Sequence, residues 1–268
     1  MKRVLIIIAL AAGGCASATD PRHEEEHVGA DSAKMFFQSS VRRDATADEA
    51  SRVAYVTNVG CTAFFVENTQ SKTYVMSARH CFDHAITAWC TKDGAVTDTS
   101  GVTGHCVRIV AADVHHDVAL FEADLAHAST GTSTLRLAAY AASVNTPLVM
   151  IGYPYDFDPA TARKGALTTT DHCWVLSTSV PSPYGDAHSQ DWSAKHNCST
   201  YGGNSGGPIY GEGGRDAVGL PFTYVPNDYA RRSSTALSTA AHMALVADFV
   251  AVHRTALDAA GVVISAAP

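Results

Sequence analysis

No apolar run in this chain is long enough to cross a bilayer, positive charge is in deficit, and no internal repeat is visible. A spanning helix needs about 20 consecutive apolar residues, so no transmembrane helix is expected. Lys and Arg number 19 against 26 Asp and Glu, a net charge of −7. The phosphate-neutralising field on which nucleic-acid binding depends is therefore missing, and nucleic acid is excluded as a partner.

What is present begins at the N-terminus. Lys2-Arg3 precedes a short apolar run, Val4 to Ala12, which is the layout of an export signal. Ala12-Gly13-Gly14-Cys15 resembles a bacterial lipoprotein cleavage site, although that pattern usually carries Leu where this chain has Ala12. The expectation is a signal peptide over residues 1–15, cleaved before Cys15, with lipid on Cys15. The protein is then exported, anchored in the bacterial cell envelope or secreted. Cys15 is one of 7 cysteines; the other six make an even number, suited to three disulfides in an oxidising compartment, and the sequence by itself leaves all connectivities open. Residues 16–50 are polar, with Pro21 to His27 rich in charge and His, and are expected to be a flexible tether. A domain over residues 51–262 remains.

Within it, short β-prone runs recur between turn signals: Thr62 to Val66, Thr73 to Ser77, Val107 to Ala111, Val118 to Phe121, Leu148 to Ile151, Trp174 to Thr178, Ile209-Tyr210 and Ala217 to Leu220. The pattern is all-β. From Thr235 to Ala260 it turns alanine-rich, with Leu237, Ala241, Leu245, Phe249 and Val252 near helical spacing, and Gly261 predicts the stop.

The chemistry concentrates in three places. Gly203-Asn204-Ser205-Gly206-Gly207-Pro208 sets a serine among glycines, where a substrate carbonyl can approach the N–H groups of Gly203 and Ser205. A serine hydroxyl is a weak nucleophile until an imidazole takes its proton and a carboxylate orients that imidazole. His80 follows the β-prone Thr73 to Ser77, and Asp117 opens the apolar run that begins at Val118.

Ala78-Arg79-His80-Cys81, Asp117-Val118-Ala119-Leu120 and Gly203 to Pro208 resemble, in that order, the three motifs of the chymotrypsin-fold (trypsin-like) serine proteases. Ile151-Gly152-Tyr153-Pro154 and His196-Asn197-Cys198-Ser199-Thr200 look like the bacterial, V8-like branch. The resemblance implies two antiparallel six-stranded β-barrels with a C-terminal α-helix, the barrel boundary falling near residues 130–143. It implies a serine endopeptidase acting on protein or peptide substrates without a cofactor, as a monomer. The roles are the family's, carried onto matching positions: His80 as general base and then acid, Asp117 as its orienter, Ser205 as nucleophile, and the Gly203 and Ser205 amides as oxyanion hole. It also implies the disulfides Cys61–Cys81 and Cys173–Cys198, which leaves Cys90 with Cys106 around turns at Asp93-Gly94 and Gly104. An α/β-hydrolase esterase would need the order Ser, Asp, His; the order here is His, Asp, Ser. The competing class is a catalytically inactive binding or scaffold protein on the same fold.

Asn204 stands where cleavage-activated relatives have an aspartate, and no Ile-Val-Gly-Gly start lies near residue 50. An oxyanion hole formed without zymogen cleavage is the expectation. Ser199, Thr200 and Pro221 are expected to line the primary pocket. None is a carboxylate, so a substrate Lys or Arg would lack a partner there. Pro221 also replaces the histidine that glutamate-cutting relatives use. Small or apolar side chains before the scissile bond are expected, glutamate second. The 13 histidines, including the spacing His80 to His84, raise zinc as an alternative, but no metal site is expected. His115-His116 read as an exposed loop edge, and His84, His105, His127, His172, His188 and His242 as surface residues.

Overall fold

Alternate residues of a strand face opposite ways, and here both faces are buried against different cores. The computed structural model describes residues 41–57, 59–82, 85–92, 94–154, 167–180, 193–198, 200, 202–224 and 241–268. After strand β1 (Val41–Asp44) and helix α1 (Ala47–Ser51) come β2 (Val53–Val56), β3 (Cys61–Val66), β4 (Thr73–Ala78), helix α2 (Ile86–Thr91), β5 (Ala95–Asp98), β6 (Thr103–Asp113) and β7 (Val118–Ala123). Strands β2 to β7 close into a barrel in the order β2-β3-β4-β7-β6-β5. Ala63, Phe65, Val75, Ala119 and Phe121 fill its interior, while their neighbours Phe64, Val66, Tyr74, Met76 and Leu120 face a second core.

That second core lies between the barrels. The rest of the chain supplies β8 (Arg136–Ala138), β9 (Pro147–Gly152), β10 (Thr168–Val180), β11 (Ser193–His196), β12 (Ile209–Gly211), β13 (Asp216–Tyr224), β14 (Ala241–Leu245), helix α3 (Val246–Ala259) and β15 (Ile264–Ser265). The ring β9-β10-β11-β14-β13-β12 closes through the β12–β13 pairing; β1 lies antiparallel on β10, and β8 and β15 add in parallel beside β13. Leu148, Met150, Val175, Val218 and Met243 fill this barrel. Leu137, Ile151, Leu220 and the α3 residues Val246, Phe249, Val250 and Leu257 meet the outer face of the first barrel. The architecture is two closed six-stranded antiparallel barrels with a C-terminal helix, as the sequence implies.

Helix α3 ends where Gly261 takes φ +65°. Gly261 N–H reaches the Asp258 carbonyl at 2.9 Å and Val262 N–H that of Leu257 at 3.0 Å, the paired bonds that close a helix on a left-handed glycine. The helix is shorter than its sequence pattern. Ala241 and Leu245 belong to β14, whose five residues are all buried; a strand buried on both faces shows no alternation, and alanine disguised it as helix. Leu237 lies outside the described residues. Gly104 is likewise no turn but part of β6, packed under Leu125, and the β5–β6 reversal runs through Gly101 at φ +88°.

Of the tether expected over residues 16–50, residues 16–40 lie outside the described residues, and the end of it is not linker. Residues 41–51 form β1 and α1, with Thr46 and Glu49 making a reciprocal N-terminal cap. Arg43 binds Glu49 at 2.7 Å and Asp171 of β10 at 2.8 Å, which ties this segment to the second barrel. The signal peptide and Cys15 lie outside the described residues. Disulfides join Cys61 to Cys81, Cys90 to Cys106 and Cys173 to Cys198.

Three histidines expected at the surface or on an exposed edge are not there. His116 is buried, His127 is stacked on Phe65 with ring centroids 3.6 Å apart, and His242 is buried in β14. His105 and His172 are exposed, and His84 and His188 lie outside the described residues. His242 stands across from Lys195, next to the fully buried His196. Burial, reinforced by His242, pushes His196 down to about 3; burial, reinforced by Lys195, pushes His242 down to about 4.

Two outcomes follow from this packing. Phe249, fully buried between helix and barrels, is expected to cost about 3–5 kcal/mol on replacement by Ala, read as a lower urea midpoint with the slope retained. The two histidines are neutral when folded but bind protons when unfolded below about pH 6.5. Stability is therefore lost as pH falls from that point toward the folded values, at about 1.4 kcal/mol per pH unit for each group. Urea midpoints at pH 7 and pH 5 should differ accordingly, and His242→Phe should reduce the difference; equal midpoints would contradict it.

Candidate active site

The site is built at the rims of the two barrels. Strands β4 and β7 are neighbours, Ala78 opposite Val118, so the turns that extend them are also neighbours. Residues Arg79–Phe82 leave β4 as a short 3-10 turn, and Asp117 closes the β6–β7 loop at φ +53°, a left-handed conformation that non-glycine residues rarely take. Three bonds join the turns. Arg79 N–H donates to the Asp117 carbonyl at 2.9 Å. His80 N–H donates to Asp117 Oδ1 at 2.7 Å, and His80 Nδ1 lies 2.6 Å from Oδ2. With one carboxylate oxygen on the backbone and the other on the ring, the imidazole has a fixed tilt. Nδ1 carries the proton toward the carboxylate, leaving Nε2 as the ring's acceptor.

Ser205 comes from the second barrel, on the connection between β11 and β12, and is partly exposed. Thr62 of β3, itself fully buried, holds it. Thr62 N–H donates to the Ser205 carbonyl at 3.0 Å and Thr62 Oγ1 to the Gly203 carbonyl at 2.8 Å. Tyr153 N–H donates to the same Oγ1 at 2.9 Å, and Ser77 Oγ to the Thr62 carbonyl at 2.7 Å. Thr62 and Ser77 escape sequence reasoning because each looks like an ordinary strand residue; no local signal marks them. Gly203 and Gly206 have φ +93° and +80°. A side chain at Gly206 would run into Ser77 Oγ and the Thr62 carbonyl, and one at Gly207 into the Ile151 carbonyl. Both glycines are where the loop touches foreign backbone.

The residues singled out by sequence are thus partly gathered. His80 and Asp117 are bonded to each other. Cys81 Sγ lies 3.9 Å from His80 Nε2 and 4.0 Å from the Ser205 carbonyl, so histidine, disulfide and the Ser205 loop lie side by side where the two rims meet. Among the described residues no hydrogen bond links His80 Nε2 to the Ser205 hydroxyl. Cys61, His80 and Cys81 offer potential metal-binding atoms close together, but the two sulfurs are joined to each other and are not thiolate ligands. The Pro221 carbonyl accepts from Gly206 N–H at 3.2 Å, which sets β13 against the loop of Ser205. Thr200 is buried, with its hydroxyl donating to the Cys198 carbonyl at 3.0 Å. Ser199 lies outside the described residues. Asn204 is buried beside Gly152, and its Oδ1 has no hydrogen-bond partner among the described residues.

The family model of the trypsin-like peptidase domain matches residues 61–220. No curated protein sequence matches the chain. Solved structures resemble it at low identity. The Rv3671c protease of M. tuberculosis in its inactive form is 18% identical with a TM-score of 0.52, over 80% of this chain and 91% of that one. The MamO protease domain from Magnetospirillum magneticum is 15% identical with a TM-score of 0.54, over 77% and 97%. Neuropsin, a serine protease of mouse brain, is 12% identical with a TM-score of 0.58, over 81% and 99%. These structures share the fold. The family match runs from β3 into β13, taking in both rims and the three motif segments, and it is by this match that the chain belongs to the trypsin-like peptidase domain family.

Proposed function

We propose that the protein is an exported serine endopeptidase working through His80, Asp117 and Ser205. The observation that carries this reading is the double hold of Asp117 on His80, ring and main chain together, where the first barrel's rim meets the loop of the partly exposed Ser205. The same double hold recurs between Asp113 and His116; what sets His80 apart is that its ring is partly exposed and neighbours Ser205 across the Cys81 sulfur.

In the proposed reaction Ser205 Oγ attacks the peptide carbonyl while its proton passes to His80 Nε2. Asp117 stabilises the imidazolium that results and stays ionised. The oxyanion is met by the amides of Gly203 and Ser205, whose loop is already braced through Thr62. His80 then gives its proton to the leaving amine. The acyl-enzyme is cleared by water with the same base.

The three disulfides are consistent with an oxidising compartment. We place the chain outside the cytoplasm, held to the cell envelope by lipid on Cys15. For the substrate, the buried Thr200 hydroxyl is already committed to a backbone carbonyl and Pro221 offers no N–H. Neither supplies a charged partner, which favours small or apolar side chains before the cleaved bond.

Ser205→Ala is expected to abolish labelling by a fluorophosphonate probe and to lower peptide cleavage by at least about 10,000-fold without shifting the melting temperature, with His80→Ala close behind. Cleavage that survives in purified Ser205→Ala protein would refute the assignment. Peptide-library profiling should show small or apolar residues before the cut, with glutamate second; a dominant cut after Lys or Arg would contradict the proposed pocket.

A further inference from the structure

A second carboxylate lies just upstream of Asp117. Asp113 is the last residue of β6 and almost wholly buried, its side chain 10% exposed. Its Oδ1 accepts the N–H groups of His115 at 2.7 Å and His116 at 3.2 Å. Its Oδ2 lies 2.7 Å from Nδ1 of the buried His116 and 3.0 Å from Nε2 of His253, which comes from helix α3. The three contacts from His115 and His116 wind the chain from Asp113 into the loop whose last residue is Asp117, and the fourth ties that start to α3. Burial by itself would raise the Asp113 carboxyl, but the bonds from His116 and His253 outweigh it and hold it down at about 2. It is therefore an anion at any working pH. Asp248, also on α3 and within electrostatic reach of His116, is raised by burial, with His116 acting against that rise.

His253 is itself aimed. It follows the fully buried Phe249 by one helical turn, and the two rings lie 4.7 Å apart. The helix docks through Val246, Phe249, Val250 and Leu257. The bond of His253 to Asp113 is a separate, polar contact. The bond is spent on the β6–β7 loop, and that loop carries Asp117 in a backbone conformation non-glycine residues resist.

We propose that Asp113, clamped by His116 and by His253 of the C-terminal helix, is a positioning residue that fixes the direction of Asp117 and through it the tilt of His80. This rests on the endopeptidase reading for its catalytic consequence, though not for its geometry. Asp113 touches no substrate. Its effect reaches the reaction through four residues of loop, and the helix at the end of the chain becomes part of the active-site support.

Full-length His253→Ala, His253→Gln and Asp113→Asn test this with two measurements. One is the low-field proton resonance of His80 Nδ1, which reports its bond to Asp117 whether or not the protein turns over. The other is kcat and KM on a peptide substrate. His253→Ala should shift or broaden the resonance and lower kcat by about 3- to 10-fold with KM unchanged, and His253→Gln, which can still donate an N–H, should restore most of both. Asp113→Asn should lower kcat by about 10- to 100-fold, below the roughly 10,000-fold that follows loss of a triad aspartate's function. Natively melting variants with unchanged resonance and kcat, or with a change in KM alone, would overturn the proposal. Should the unmutated protein cut no peptide, the resonance decides: a response to His253→Ala upholds the positioning role while the endopeptidase reading falls, and no response sinks both. Should Asp113→Asn fail to fold, the two His253 variants decide.

Discussion

Two barrels can share one site only if their rims are held in register, and that register rests on Thr62. Its N–H and hydroxyl both donate to the loop of Ser205, its hydroxyl accepts from Tyr153, and its carbonyl is pinned by Ser77. One buried residue of the first barrel thus grips the loop of Ser205, the strand end after β9, and its own neighbour β4. Each bond is worth only about 1 kcal/mol net, yet leaving such buried groups unpaired costs more. The loop has few other places to go. Gly206 and Gly207 carry no side chain because the backbone and side chains of the first barrel and of β9 occupy the space one would need.

The same economy governs the buried carboxylates. Glu122 on β7 is 8% exposed and takes Lys72 and Arg108, at 2.9 and 2.8 Å. Asp216 takes Arg136 at 2.6 Å and the Tyr140 hydroxyl at 3.0 Å. Unpaired, each would be expensive to bury; paired, each fixes a strand or connection that hydrophobic packing alone would leave free to slide. Asp117 differs in kind. Its partner is a ring that must change protonation during the proposed reaction, and its backbone is strained, so it needs support that the structural carboxylates do not.

How much of this was legible in sequence depends on range. The motif-bearing segments were visible because glycine, histidine and aspartate beside short β runs are unusual enough to draw notice, and His80 and Asp117 do meet. Strand β14 was hidden by alanine, which carries little β signal; β11, with Lys195 and His196, had no apolar alternation to show. The end of the tether read as polar linker because Arg43, Glu49 and Asp48 are charged, yet their charges are satisfied by Asp171 and Arg52 far along the chain or across one helical turn. His116 and His242 looked like surface residues for the same reason: a histidine's burial is decided by partners, Asp113 or Ser193, that no local pattern announces.

The division of the site between barrels has a consequence for where it is sensitive. His80 and Asp117 lie on the turns that extend neighbouring strands of one closed barrel, and their bonds at 2.6 and 2.7 Å are made without substrate. Ser205 depends on the fit of the second barrel against the first, and its hydroxyl is the member not yet bonded to the ring. In the proposed reaction a peptide lying across both rims would touch each barrel, so its binding energy would draw the Ser205 loop and the His80 turn together, as hydrogen bonds open in a free enzyme tighten in a reactive complex. Small changes in the core shared by Phe64, Leu120, Ile151 and Leu220 would then reach the chemistry through Ser205 sooner than through the pairing of His80 with Asp117.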